Sequence, residues 1–244
     1  TRENKAKEEV IKVRNEGKAL LRKLVREKRL SVKYSLRISE ACSKDNAIII
    51  EDPKAPKGRY VLPMLRQEKP SGKSRTCMSL CDYVPDVKLD MTGPIGMFAI
   101  SVQVRHGECC DCGCGHDSYP GMLEHCVTVC VAEAASQWLD RQVKHMLPAG
   151  QRLITRPAVG YACCPDHSLK KDILEMLPGS EELGITLTES YAMIPDASIC
   201  GLIIMHSAAA YPEIHRISRA QYDSYAKARG FSETEATRFL GHLL

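Results

Sequence analysis

Gly96-Met-Phe-Ala-Ile-Ser-Val-Gln-Val104 carries the clearest architectural signal in this chain. Met97, Ala99, Ser101 and Gln103 alternate with Phe98, Ile100, Val102 and Val104, the period of two that a β-strand imposes on its two faces. Toward the C-terminus, 198–206 reads as a second strand, so nearly all apolar that a central place in the sheet is expected. Residues 185–193 read as a third. Toward the N-terminus, 47–50 and 60–65 read as short strands, split by Glu51-Asp-Pro-Lys-Ala-Pro-Lys-Gly58, whose prolines and glycine dictate a turn. A polar loop over 67–75 leads into 76–84. Helical spacing predicts one long amphipathic helix over 3–29, with Gly17 a weak point inside it. A second helix is expected over 120–146, apolar through Met122, Cys126, Val129, Cys130, Ala134 and Leu139. A short one over 169–177 is stopped by Pro178-Gly179, and two more close the chain. Ser218 with Gln221, and Ser232 with Glu235, fit the capping box. Strands and helices come in runs rather than in strict alternation, which predicts an α+β fold with an antiparallel sheet.

The composition fits such a fold. Of 244 residues 44% are hydrophobic and 26% charged, but aromatics are only 5%, so the core must be mainly aliphatic. No apolar run is long enough to cross a bilayer, and the N-terminus is charged; a cytoplasmic protein without membrane contact is expected. Residues 1–30 hold eleven Lys/Arg against five Glu, a surplus of +6 that leaves about −2 of the total +4 for the remainder. Val10, Val13, Leu20, Leu21, Leu24 and Val25 interleave with those charges at helical spacing, so the basic stretch reads as the solvated face of a core-packed helix. No nucleic-acid motif accompanies it. The twelve cysteines are many for a reducing compartment, where most should be buried thiols rather than disulfides.

The chemistry-bearing motif is Arg156-Pro-Ala-Val-Gly-Tyr161, followed by Ala-Cys-Cys-Pro165-Asp166-His167. Arginine can clamp a carboxylate, glycine lets backbone approach a ligand, and tyrosine offers an aromatic face with a hydroxyl. Downstream lie Leu187-Thr-Glu-Ser-Tyr-Ala-Met-Ile-Pro195-Asp-Ala-Ser-Ile-Cys-Gly201 and Tyr211. Taken singly, Arg156 fits a cation at a strand end, Asp82 a turn residue before Pro85, and Tyr211 a half-buried aromatic. In this order and spacing the segments resemble the C-terminal activation domain of cobalamin-dependent methionine synthase. Ala19-Leu-Leu-Arg-Lys-Leu24, Ser79-Leu-Cys-Asp-Tyr-Val84 and Gly93-Pro-Ile-Gly-Met-Phe-Ala-Ile100 extend the resemblance over almost the whole chain.

The resemblance implies a single C-shaped domain around a twisted antiparallel sheet flanked by helices. Here that would be a helix over 1–30 and an activation-like domain over 31–244, as a stand-alone or an excised chain. It implies a site for S-adenosylmethionine (SAM) in which Arg156 holds the carboxylate and Asp82 the ammonium. Ala158, Gly160 and Tyr161 would line the ligand, with Tyr211 and, more weakly, Glu133 beside it. Tyr161 would sit nearest the corrin and is the catalytic candidate; His167 would orient its loop. The implied activity is that of a methyltransferase component in methionine biosynthesis. An electron from a flavodoxin-like donor reduces cob(II)alamin on a corrinoid-binding protein or synthase core, and SAM's methyl group traps the product. No Gly-x-Gly-x-x-Gly follows a strand, so a Rossmann-type SAM site is not expected. No Asp-x-His-x-x-Gly corrinoid motif is present, so the cobalamin would be carried by a partner.

One insertion departs from the family. Residues 105–117 hold Cys109, Cys110, Cys112 and Cys114 between His106 and His116. The Cys109-x-x-Cys112 spacing can grip one metal ion, zinc or an iron–sulfur cluster, but it matches no ferredoxin run. An exposed or redox-active thiol cluster fits equally well. Cys77 and Cys81 lack a third partner, and the spacing of Cys126 and Cys130 reads as a core stripe. Two other functions stay open: a docking or capping module for a corrinoid protein without methyl transfer, and a metal or redox sensor built on the Cys-rich loop.

Overall fold

In the computed structural model, which describes residues 2–70, 75–106, 118–147 and 154–244, the strand read first is β4 (Gly93–Val104). It lies in an antiparallel sheet with β1 (Leu30–Lys44), β2 (Ala47–Glu51), β3 (Arg59–Pro63) and β7 (Ser198–Ile204) in the order β3-β2-β1-β4-β7. Five α-helices accompany it among the described residues: α1 (Arg2–Arg26), α2 (Tyr119–Met146), α3 (Leu169–Met176), α4 (Arg219–Arg229) and α5 (Glu233–Leu240). The α+β class with an antiparallel sheet is therefore observed. None of the helices is long and apolar enough to cross a membrane, among the described residues.

The alternation in β4 sorts its side chains onto two cores. Phe98, Ile100 and Val102 pack with Ile203 against Ala132, Leu139 and Val143 of α2. Ile95, Met97 and Ala99 face the other way, toward Leu169, Ile173 and Met176 of α3 and its flanks. Burying a side chain such as Phe98 is worth about 2–3 kcal/mol, so this one strand supplies much of the cohesion of both layers. A third cluster joins α4 and α5 through Tyr222, Tyr225, Phe239 and Leu240 to Leu65, Ile214 and Ile217.

Five elements differ from the sequence expectation. The longest strand, β1, occupies residues for which no element is expected; it pairs with β4 from Leu30↔Val104 to Ala41↔Gly93. Its polar side chains are tied to acceptors from other parts of the fold. Lys33 Nζ donates to Glu182 O (2.7 Å), Ser35 Oγ to Pro178 O (2.6 Å) and Arg37 Nη1 to Met176 O (3.1 Å) and Asp52 Oδ2 (2.6 Å). The expected strand over 185–193 is instead a hairpin of β5 (Thr186–Leu187) and β6 (Met193–Ile194). Tyr191 takes φ 58° there, and Tyr191 N closes a turn on Thr188 O at 2.9 Å. α1 is core-packed only near its end: Leu24 is fully buried, while Val10, Ile11, Val13 and Val25 are exposed. On α2 the buried stripe is Val127, Thr128, Ala132, Ser136, Leu139 and Val143; Met122 is exposed, and so are Cys126 and Cys130, which form no core stripe.

The fifth difference builds the site. β7 is the last strand, not a central one, yet its outer edge is not bare. Thr155 and Ile204 exchange backbone bonds (3.0 and 2.9 Å), Leu202 N donates to Pro157 O (3.0 Å) and Val159 N to Cys200 O (3.0 Å). The 155–159 segment thus acts as an extra rung, which explains the apolar character of β7 without a central position. Gly201 is what lets it close: a Cβ there would lie 2.4 Å from Pro157 O and 2.8 Å from the Ala158 Cα.

At the far end of β4, Arg105 N donates to Arg29 O, Arg29 Nε to Arg105 O and Arg105 Nη2 to Lys28 O, each at 2.9 Å. Ser118 caps α2 by accepting from Gly121 N. Cys109, Cys110, Cys112 and Cys114, the expected metal ligands, lie outside the described residues.

Candidate functional site

The backbone pairing of 155–159 dictates which groups face the ligand side. Thr155, Pro157 and Val159 turn their backbone groups to β7, so the N–H of Arg156 is left pointing away; it donates to the hydroxyl oxygen of Tyr211 at 2.9 Å. Pro157 has no N–H, but this register asks only for its carbonyl. Arg156 and Ala158 then line a pocket of about 240 Å³ with Glu133 and Ser136 of α2, Phe98 of β4, Ile199 of β7, Tyr161, Cys163 and Tyr211. Glu133, Ser136 and Asp140 share one helix face by their spacing. Larger cavities exist, but they gather no comparable set. One of about 360 Å³ near the start of α2 has its polar side chains already in contact with each other, His106 with Glu124 and His125 with Asp196. Another of similar size is an apolar groove between α1 and α2.

Charge in the pocket is divided. The Arg156 Nε lies 3.4 Å from Asp140 Oδ1, whose other oxygen accepts from Lys144 Nζ at 2.7 Å. The Arg156 guanidinium makes no hydrogen bond among the described residues. Across the pocket, Tyr161 Oη donates to Glu133 Oε1 at 3.3 Å. Partial burial, then the Glu133 carboxylate, hold the Tyr161 phenol above its ordinary pKa, so it stays a neutral donor at physiological pH. Tyr161 and Tyr211 are each about half exposed, at 57% and 51%, and flank the mouth.

The loop beneath Tyr161 is locked in place. Gly160 takes φ +99°, and a Cβ there would come within 2.8 Å of the His167 ring, so both conformation and space require glycine. Gly160 N donates to Cys164 O and Cys164 N to Tyr161 O, both at 2.8 Å. His167 Nδ1 lies 2.8 Å from Nζ of the buried Lys170, which also donates to Tyr191 O. Burial first, and Lys170 second, lower the His167 pKa. Behind the loop, buried Asp166 accepts from Ser168 N, Ser168 Oγ and Tyr225 Oη, with Arg229 Nε at 3.4 Å, which ties the loop to α4. The neighbouring thiols are inert: burial pushes Cys163 up to about 11, Cys200 up to about 12 and Cys164 well above the usual value.

Of the positions singled out in the sequence, Glu133, Arg156, Ala158, Tyr161 and Tyr211 meet at one pocket, and Gly160 shapes its loop. Asp82 does not line it. Its carboxylate accepts from Arg66 Nη1 (2.6 Å), Arg66 Nη2 (2.5 Å) and Ser79 N (2.9 Å). The turn carrying Asp82 nevertheless abuts the segment before Tyr211, because the Tyr83 ring packs on His206 with centroids 5.8 Å apart. Asp140, Arg66 and Ser136 were not anticipated. Asp140 was in principle findable, seven residues after Glu133 on the same helix face. No three His, Cys, Asp or Glu side chains are grouped to hold a metal ion among the described residues.

Comparison with known proteins agrees with this architecture. The family description "Vitamin B12 dependent methionine synthase, activation domain" matches residues 1–230. A solved structure of the MetH reactivation domain bound to AdoHcy (S-adenosylhomocysteine) superposes with a TM-score of 0.81 at 28% identity, covering 97% of this chain and 77% of that one. The chain belongs to the activation-domain family of vitamin B12-dependent methionine synthase.

Proposed function

We propose that the pocket between α2, the 155–161 segment and Tyr211 binds SAM by its amino-acid end, and that the chain supports reactivation of a corrinoid carried by a partner protein or synthase core. The observation that carries this reading is Arg156: a guanidinium lining a cleft, in ion-pair contact with Asp140 at Nε (3.4 Å) and without a hydrogen-bond partner among the described residues. Such a group suits a ligand carboxylate as a charge-assisted, two-pronged donor. Glu133 lines the same pocket and Asp82 sits on a neighbouring turn with acceptor capacity beyond its bonds to Arg66 and Ser79. Either carboxylate suits the ligand's ammonium. Ala158 and Gly160 contribute backbone with little side-chain bulk. The relative that binds AdoHcy holds the product that SAM leaves after giving up its methyl group, which supports the same reading here.

The pocket's size also fits. At about 240 Å³ it falls below the roughly 300–1,000 Å³ of sites that enclose a drug-sized ligand. A ligand seated by one end leaves the rest near the mouth, as transfer to a group on another macromolecule demands. The corrinoid supplies the nucleophile for the methyl group once an electron donor of the flavodoxin type has reduced it. The chain's own residues hold the sulfonium compound in place and shield it; no proton moves in the transfer, so no general base is required. Tyr161, exposed at the mouth, is the side chain proposed to face the corrin. In this reading the chain is the methyltransferase's reactivating component rather than its whole catalytic unit.

Calorimetric titration of SAM and AdoHcy tests the proposal. Saturable binding is expected, weakened about 10- to 100-fold by Arg156→Ala, the loss typical of a charge-assisted hydrogen bond. Asp82→Asn separates the two candidate ammonium partners: a loss implicates Asp82, an unchanged affinity leaves the role to Glu133. Absence of saturable binding for both ligands would overturn the reading.

A further inference from the structure

We infer that Asp140 is a positioning residue: it aims the Arg156 guanidinium into the pocket and so makes the site select ligands that retain a carboxylate. The inference rests on the SAM reading above and adds a residue to it.

Arg156 is held at both of its ends. Its backbone N–H is bonded to Tyr211 Oη, and its two chain neighbours are on the β7 edge, Thr155 paired with Ile204 and Pro157 accepting from Leu202. Its side chain would still sweep a wide arc, since arginine has several rotatable bonds. Asp140 closes that freedom from the α2 side, with Oδ1 3.4 Å from Nε. Engagement at Nε matters. It leaves the Nη hydrogens, which have no hydrogen-bond acceptor among the described residues, to be presented to a ligand. The pair is sheltered, with 20% of the Arg156 and 17% of the Asp140 side chain exposed, so salt screens the attraction only in part.

Asp140 is itself fixed. Lys144, one turn later on α2, takes the opposite carboxylate oxygen at 2.7 Å, which leaves Oδ1 turned toward Arg156. Asp140 is not among the residues that line the pocket. It stands behind Arg156 and acts through it.

The test uses two ligands that differ at the amino-acid end, where Arg156 would act on the carboxylate. AdoHcy carries the carboxylate and ammonium; 5′-methylthioadenosine keeps the adenosine and the thioether but lacks both. Asp140→Asn, nearly isosteric, is expected to weaken AdoHcy binding about 10-fold and to leave methylthioadenosine within about two-fold. In an Arg156→Ala background the same substitution should have no further effect, because the carboxylate acts through the arginine.

Equal losses for both ligands would mean that Asp140 supports α2 as a whole, and the inference fails. It fails too if D140N costs as much with Arg156 absent, or costs nothing with it present. A wild-type chain that binds neither ligand would sink the pocket reading itself, and this inference with it.

Discussion

Gly201→Ala is the most demanding perturbation of this architecture. The added Cβ would sit 2.4 Å from Pro157 O, 2.8 Å from Ala158 Cα and 3.1 Å from Pro157 C. All three are backbone atoms of the rung that carries Arg156, so no side chain can rotate away to make room. The segment must lift from β7. That strains or breaks the bonds from Leu202 N to Pro157 O and from Val159 N to Cys200 O. Overpacking of a tight site and two weakened ladder bonds together cost about 2–4 kcal/mol. For a chain of 244 residues this lowers the thermal midpoint by about 5–15 °C. Arg156 and Ala158 move with the rung, so AdoHcy affinity should fall at least about 10-fold at temperatures where the variant stays folded. Calorimetric melting followed by titration measures both. Gly17→Ala is the control: in α1 its Cβ meets only Val127 and Leu123, at 3.6 and 3.8 Å, and removing a helical glycine should be neutral or stabilising. A G201A protein that melts with wild type and binds AdoHcy as tightly would refute the extra-rung reasoning.

Two further outcomes follow from the site's electrostatics. His167 has a folded pKa below its ordinary 6.5, so between those two values the unfolded chain binds more protons than the folded one. Stability should therefore decline as pH falls below about 6.5, and His167→Asn should flatten that slope; identical urea midpoints in wild type and variant at pH of about 7.5 and 5.5 would contradict it. Brief alkylation of the native protein near neutral pH, read by peptide mass spectrometry, should modify exposed Cys126 and Cys130 and spare Cys163, Cys164 and Cys200. Rapid labelling of Cys200 would show that the β7 core opens far more readily than its packing implies.

Much of this was visible in the residues. β4 announced itself by strict alternation, α3 by its Pro178-Gly179 stop, and α5 by a complete capping box in which Ser232 and Glu235 satisfy each other's backbone N–H groups. The α4 box is only half formed, because the Gln221 side chain turns instead to Arg66 and Glu68. β1 carried a usable signal in Leu30, Val32, Tyr34, Leu36 and Ile38. It was obscured because α1 runs into it with no glycine or proline between; the turn is made by Lys28 at φ 54°. Its polar residues bond to acceptors that only the tertiary fold supplies. The exposed stripe of α1 has the same cause in reverse, since helical periodicity reports amphipathicity and not what covers the apolar face. Arg156, Gly160 and Tyr161 stood out as a motif, and family order linked them to Tyr211. No spacing rule predicts that the Tyr211 hydroxyl caps the Arg156 amide, or that Asp82 is already held by Arg66.

The collar at the end of β4 has a consequence for how such a domain diversifies. Arg105 is laced to Lys28 and Arg29 before the chain departs, and Ser118 caps α2 on its return. Both anchors are made by bonds among residues on either side of the junction. Doubling the length of a connection adds only about 0.6 kcal/mol of closure entropy, less than one well-made hydrogen bond. Length at this junction is therefore cheap, which makes the collar a natural place for a chain of this fold to grow.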